Sequence, residues 1–304
     1  MSKRNAIYFA ALLIPNFISV SAYSQEMTEE KNETQIPLEN ITVAPSDSNE
    51  CKCEEYEKKQ EDYTRTFREG TLNIISPSTW KKDMFYILYS HNYFQASIPR
   101  GSNPAFHFSY TPIERLQFDT ILSLRNSPLE FEIGGKYQIL DEFKGDLLSV
   151  TPRISFNTRG NAVGLDLSAS KTFFTDIWQI GLGYRAIGYF GDPKVDDLTG
   201  NFVHGLGVNT IVRVWKAWYL FGDAVVPFDA GILAKHGFIW STGIKKRIPG
   251  TPHILTLYAG NSNESTLTGR TLSNGNGKYP DMLKLGFNFS IGIPNFSKLP
   301  ERLF

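Results

Sequence analysis

Leu129-Glu130-Phe131-Glu132-Ile133-Gly134-Gly135-Lys136-Tyr137-Gln138-Ile139 is the stretch whose reading decides the fold. Taken at every second position, it separates into Leu, Phe, Ile, Gly, Tyr, Ile on one side and Glu, Glu, Gly, Lys, Gln on the other. A two-residue period is that of a strand with one apolar and one wet face. A face carrying Glu130, Glu132 and Lys136 cannot sit in a dry sandwich core, since a buried charge is tolerated only when paired. A soluble barrel with an apolar ligand cavity is excluded for the same reason. The polar side must face a lumen and the apolar side lipid.

The pattern recurs along the chain. Leu148, Val150, Ile154 and Phe156 oppose Ser149, Thr151, Arg153 and Ser155, while Val163, Leu165 and Leu167 oppose Gly164, Asp166 and Ser168. Near the end, Leu283, Leu285, Phe287, Phe289 and Ile291 oppose Lys284, Gly286, Asn288 and Ser290. Residues 82–94, 104–111, 115–124, 129–140, 147–157, 161–171, 176–190, 202–213, 217–228, 235–248, 252–261 and 281–293 read as about twelve such strands. The fold class is therefore all-β, an antiparallel transmembrane barrel. An even strand number returns both ends to the periplasmic side and places long loops at every second connection. The connections 95–103, 191–201 and 262–280 fall in the outward set, and turns such as Pro112-Ile113-Glu114 and Pro249-Gly250-Thr251 in the other. Phe173, Phe174, Trp178, Trp215, Trp218 and Tyr219 gather at two of the short turns and predict an interfacial aromatic belt.

The N-terminal region is of another kind. Lys3 and Arg4 precede an apolar run at 6–20 that Pro15 and Asn16 interrupt, and small residues Ser21, Ala22 and Ser24 follow. Residues 1–24 read as a secretory signal peptide cleaved after Ala22 or Ser24, the run being too short for a retained anchor. Residues 25–69 form a polar, acidic leader that cannot bury a core, with a short charged helix expected at 54–68. It reads as a docking tail for a periplasmic partner or a plug for the barrel, or as a solvated leader, which its composition favours. Cys51 and Cys53 lie here; a Cys-Lys-Cys run without added ligands suits a local or intermolecular disulfide better than haem or zinc. Residues 70–304 form the barrel.

Lysine plus arginine equals aspartate plus glutamate, 31 each, with no basic concentration, which argues against nucleic acid as a partner. No cofactor or metal motif stands out. The expected partners are the lipid bilayer of the Gram-negative outer membrane and the barrel-assembly machinery. For the latter, Lys284, Gly286, Phe289 and Ile291 resemble the assembly signal of outer-membrane barrels, although the chain continues to Phe304.

At family level the chain from about residue 69 resembles the membrane-bound β-barrel domain family of unknown function. The resemblance rests on Gly70-Thr71-Leu72, Tyr89-Ser90-His91-Asn92-Tyr93-Phe94, Val225-Val226-Pro227 and Leu285-Gly286-Phe287-Asn288-Phe289-Ser290. Asn92 stands where that family favours a basic residue. The resemblance implies a fold and a location, and no activity.

Strand parity sends Asp119, Glu130, Glu132 and Asp166 into the lumen as a negative set, and Lys136, Arg153, Arg185 and Lys284 as a positive one. The expected function is a passive conduit or scaffold, the alternatives being a plugged structural or adhesin-like barrel and a lipid-modifying enzyme of the lipase or acyltransferase type. His107 and Ser109 share a strand face and form the only base and nucleophile candidates, without an identifiable orienting residue. His91, His204, His236 and His253 are scattered without ligand spacing.

Overall fold

A computed structural model describes residues 66–94, 102–124, 129–174, 176–191, 201–229, 231, 233, 237–262, 266–267, 269–272 and 283–299. The signal peptide, Cys51, Cys53 and His236 lie outside the described residues. Twelve antiparallel strands close on themselves, each paired with its sequence neighbours and β1 with β12. They are β1 (Met84–Phe94), β2 (Ser102–Ile113), β3 (Leu116–Ser123), β4 (Glu130–Tyr137), β5 (Ser149–Asn157), β6 (Ala162–Phe173), β7 (Trp178–Tyr189), β8 (Phe202–Trp215), β9 (Trp218–Pro227), β10 (Ile239–Arg247), β11 (His253–Gly260) and β12 (Lys284–Ile293). Closure leaves no sheet edge, so every wall strand satisfies its backbone laterally. No helix among the described residues is long and apolar enough to cross a membrane.

The alternation fixes which face is which. Ile133, Ile154, Leu165, Leu182, Val208, Leu220, Leu257 and Leu285 are exposed around the outside, whereas Glu132, Arg153, Asp166, Ser168 and Lys245 are buried within. An apolar exterior of that extent is far larger than a water-soluble monomer carries, and it matches a lipid-facing wall. The chain is an outer-membrane-type β-barrel. The longer connections 228–238 and 261–283 join those at 95–101 and 190–201 at one end of the barrel, the loop end. At the turn end, Phe173, Phe174 and Trp178 flank one hairpin and Trp215 and Trp218 the next; Phe174 stacks on Trp178 at 6.4 Å. Lys246 lays its ammonium 4.6 Å from the Trp218 ring, an arrangement suited to a headgroup region. Tyr219 departs from the expected belt, because its parity is opposite to that of Leu220: it is fully buried in the lumen, edge-on to Phe67.

The lumen is not empty. Residues 66–80, which contribute no strand, run inside the wall. The expected boundary at residue 69 therefore cuts through one lumenal segment, which begins with a helical turn at 66–69, and the solvated-leader reading does not hold for these last leader residues. From the loop end, residues around Leu267 and the short helix α1 (Gly269–Leu272) also fold inward.

Candidate functional site

The lumen carries the chemistry, and Arg153 on β5 is its centre. Its guanidinium reaches Asp119 on β3 in a short contact, Glu132 on β4 at 2.7 Å and Asp166 on β6 at 3.4 Å. Only Gly134 could stand between them: a Cβ there would lie 2.6 Å from Nη2 of Arg153. Asp166 also accepts from Nε of Arg185 on β7. Five adjacent strands are thus linked by charge pairs, two of which follow the register, Arg153 opposite Asp166 and Asp166 opposite Arg185. The pairing explains how fully buried charges persist there.

Glu132 also faces the loop end. Besides Arg153 it accepts from Nη2 of Arg270 at 3.2 Å and from the backbone N–H of Leu267 at 2.5 Å. Leu267 packs with Ala162, Ile187, Tyr189 and Val203 in a small apolar cluster over Gly164, where a Cβ would come 2.5 Å from the leucine. These contacts form a latch that holds Leu267 and Arg270 of the β11–β12 connection inside the barrel. Glu130 accepts from Asn157 at 2.9 Å and pairs with Arg159 at 3.8 Å, and Lys284 donates to the carbonyl of Asn261 at 2.9 Å.

The turn-end half of the lumen grips the 66–80 segment, chiefly through its main chain. A segment without regular structure must find partners for its own N–H and C=O groups. Lys136 donates to the carbonyls of Ser76 and Ser78, Thr151 to that of Pro77, Lys245 to that of Gly70, and Arg185 to that of Asn73. Asp223 on β9 accepts from the N–H groups of Leu72 and Asn73, Gln138 from Thr79, and Gln117 from Trp80. Apolar anchors are few. Phe67 packs on Tyr219, Trp80 stacks on Tyr86 at 4.3 Å, and Ile74 fills a socket made by Gly183 and Gly207, where any Cβ would lie 2.8 Å from it. Beside the segment remains a chamber of about 140 Å³, lined from Arg68, Glu69 and Gln117 toward the turn end to Asn92 and Arg270 toward the loop end, with room for about five waters.

All eight charged candidates are thus placed inside the barrel, and Asp119, Glu132, Arg153, Asp166 and Arg185 are brought into one network. Sequence reasoning placed Gln138 on the wet face but gave it no role, missed Lys245 and Asp223, whose inward parity was readable from Ile244 and Gly222, and missed Arg270, Leu267 and Ile74, for which no period exists. In the closing strand, Lys284 and Gly286 face inward while Phe289 and Ile291 face outward and pair with Tyr89 and Ile87 of β1. His107 lines the chamber and shares the inward face with Ser109, but its Nε2 has no hydrogen-bond partner among the described residues, so a base-to-nucleophile bond is missing. His91, His204 and His253 point outward among aromatic rings, as interfacial side chains do.

No family model and no curated protein matches the chain. Among solved structures it is similar to the NanC porin, at TM-score 0.49 and 11% identity over 67% of this chain and 98% of that one. It is also similar to the KdgM porin, at TM-score 0.47 and 11% identity over 68% and 98%, and to the outer membrane protein Omp33 of Acinetobacter baumannii, at TM-score 0.40 and 10% identity over 69% and 98%.

Proposed function

We propose that the protein is a passive conduit for small hydrophilic solutes across the outer membrane, held closed by residues 66–80 at the turn end and by the Glu132 latch at the loop end. The observation that carries this reading is the lumen itself. Its filling is polar, gripped by hydrogen bonds to a coil segment and a folded-in loop, whereas a purely structural barrel could fill its interior at less cost with packed apolar side chains. Both fillings are continuous with connections and can leave without breaking a wall strand. Twelve strands enclose a narrow lumen, so either filling suffices to block it.

Planar-bilayer recording tests the reading. The native protein should conduct little or nothing. A double variant, Ile74→Asp with Leu267→Asp, places a carboxylate in each apolar socket and should give discrete, ohmic openings. A properly inserted, heat-modifiable double variant that passes no ions and no small sugars would overturn the conduit.

A further inference from the structure

We infer that the lumen wall is a main-chain recognition surface, and that the solute class it takes is an extended polypeptide, with residues 66–80 as its resident occupant. This rests on the conduit reading and goes beyond it by naming the cargo. The wall offers acceptors where the segment has N–H groups, at Asp223, Gln138 and Gln117, and donors where it has carbonyls, at Lys136, Lys245 and Arg185. These groups come from β3, β4, β7, β9 and β10, so the grip encircles the lumen.

From Leu72 to Trp80 most of the polar contacts are to main chain. Ser76, Pro77 and Ser78 are held by their carbonyls, and Leu72 and Trp80 by their amide N–H groups. The wall bonds the side chains of Glu69, Asn73 and Thr79 through Lys245, Asp223 and Gln138, the same groups that bond main chain nearby, and at the start of the segment it also holds Glu69 through Tyr86 and Arg68 through Asp141 and Phe143. The socket at Gly183 and Gly207 has no polar requirement and takes one apolar side chain. Any extended peptide presents the same donors and acceptors in the same order, whereas a sugar or an inorganic ion does not.

The test uses the full-length Ile74→Asp/Leu267→Asp protein in bilayers. Four probes are added: a synthetic peptide of residues 66–80, a shuffled peptide of equal composition, the native peptide N-methylated at the positions of Leu72, Asn73, Thr79 and Trp80, and maltohexaose. Native and shuffled peptides should block the current at concentrations within about threefold of each other, and the methylated peptide should need at least about tenfold more, because its donors are gone. Maltohexaose should not compete. Blocking by the native sequence alone would make residues 66–80 a dedicated plug and overturn the inference, as would equal blocking by maltohexaose. If the double variant fails to insert, Gly207→Val with Gly164→Val fills both sockets from the wall side and serves instead. If no variant conducts, the conduit is lost, and anisotropy of the labelled peptides on the same protein decides the peptide reading by the same rank order.

Discussion

Glu132 is fully buried and holds three partners at once, Arg153, Arg270 and the N–H of Leu267, so it couples the charge network of the wall to the latch. Glu132→Lys sets a third cation against two guanidiniums and removes the acceptor of the loop. Breaking a buried charge pair costs about 3–5 kcal/mol. The variant should therefore unfold at a clearly lower temperature in detergent, while its conductance in bilayers stays near the native level because residues 66–80 still fill the turn-end half, both measurable on one preparation. Glu132→Gln, which keeps an acceptor for Leu267, should lose less thermal stability. An unchanged melting temperature in Glu132→Lys would contradict the network. The inward direction of this residue was legible from Leu129–Ile139 alone, because lipid on one side forbids any other parity. What it touches was not legible: register across five strands and a returning loop decide that. Tyr219 shows the opposite error, since its aromatic character suggested a belt while Leu220 beside it already fixed it inward.

At the scale of the element, the chain does not stop where β12 does. Asn295 turns it through a left-handed conformation, φ 53°, and Phe296 stacks on Phe85 at 4.4 Å, so the tail folds back over the start of β1. Asp83, itself at φ 59°, accepts from the hydroxyl and N–H of Ser297 and from the hydroxyl of Tyr110. These contacts clasp the seam at which the barrel closes. The Ser297 hydrogen bonds, followed by that of Tyr110, hold the Asp83 carboxyl below the ordinary aspartate range. A depressed carboxylate contributes stability that is complete above its unfolded pKa and is lost as pH falls through the lower folded value. The clasp is therefore at full strength at neutral pH and fails only in acid below about pH 4. Asp83→Asn should melt earlier than the native protein at pH 7, and the gap should narrow as pH falls below about 4. A constant gap between the two would show that Asp83 acts through something other than its charge. The alternation of Leu283 to Ile291 located β12 in the sequence, but a tail that departs from strand period gave no hint of this clasp.

For the whole molecule, closure depends on two fillings stacked along one axis. The 66–80 segment occupies the turn-end half and reaches mid-depth at Ile74, while Leu267 and Arg270 occupy the loop-end half, and the chamber runs beside the segment as far as Arg270. The wall was legible because twelve strands obey a single rule, whereas neither filling has a period, and an isoleucine followed by Ile75, Ser76 and Pro77 looks like any loop. The only trace they left is the lumenal glycines, Gly164, Gly183 and Gly207, each absent of a side chain where an apolar one from elsewhere must fit. Resistances in series add, so current is set by whichever filling remains. Ile74→Asp alone and Leu267→Asp alone should each leave conductance near the native level, and only the double variant should open fully. Conductance in the double variant should exceed the sum of the two single increments, the signature of coupled rather than independent sites. If Ile74→Asp alone already gives the full opening, the latch does not occlude the lumen, and Glu132 then holds the loop for stability without closing anything.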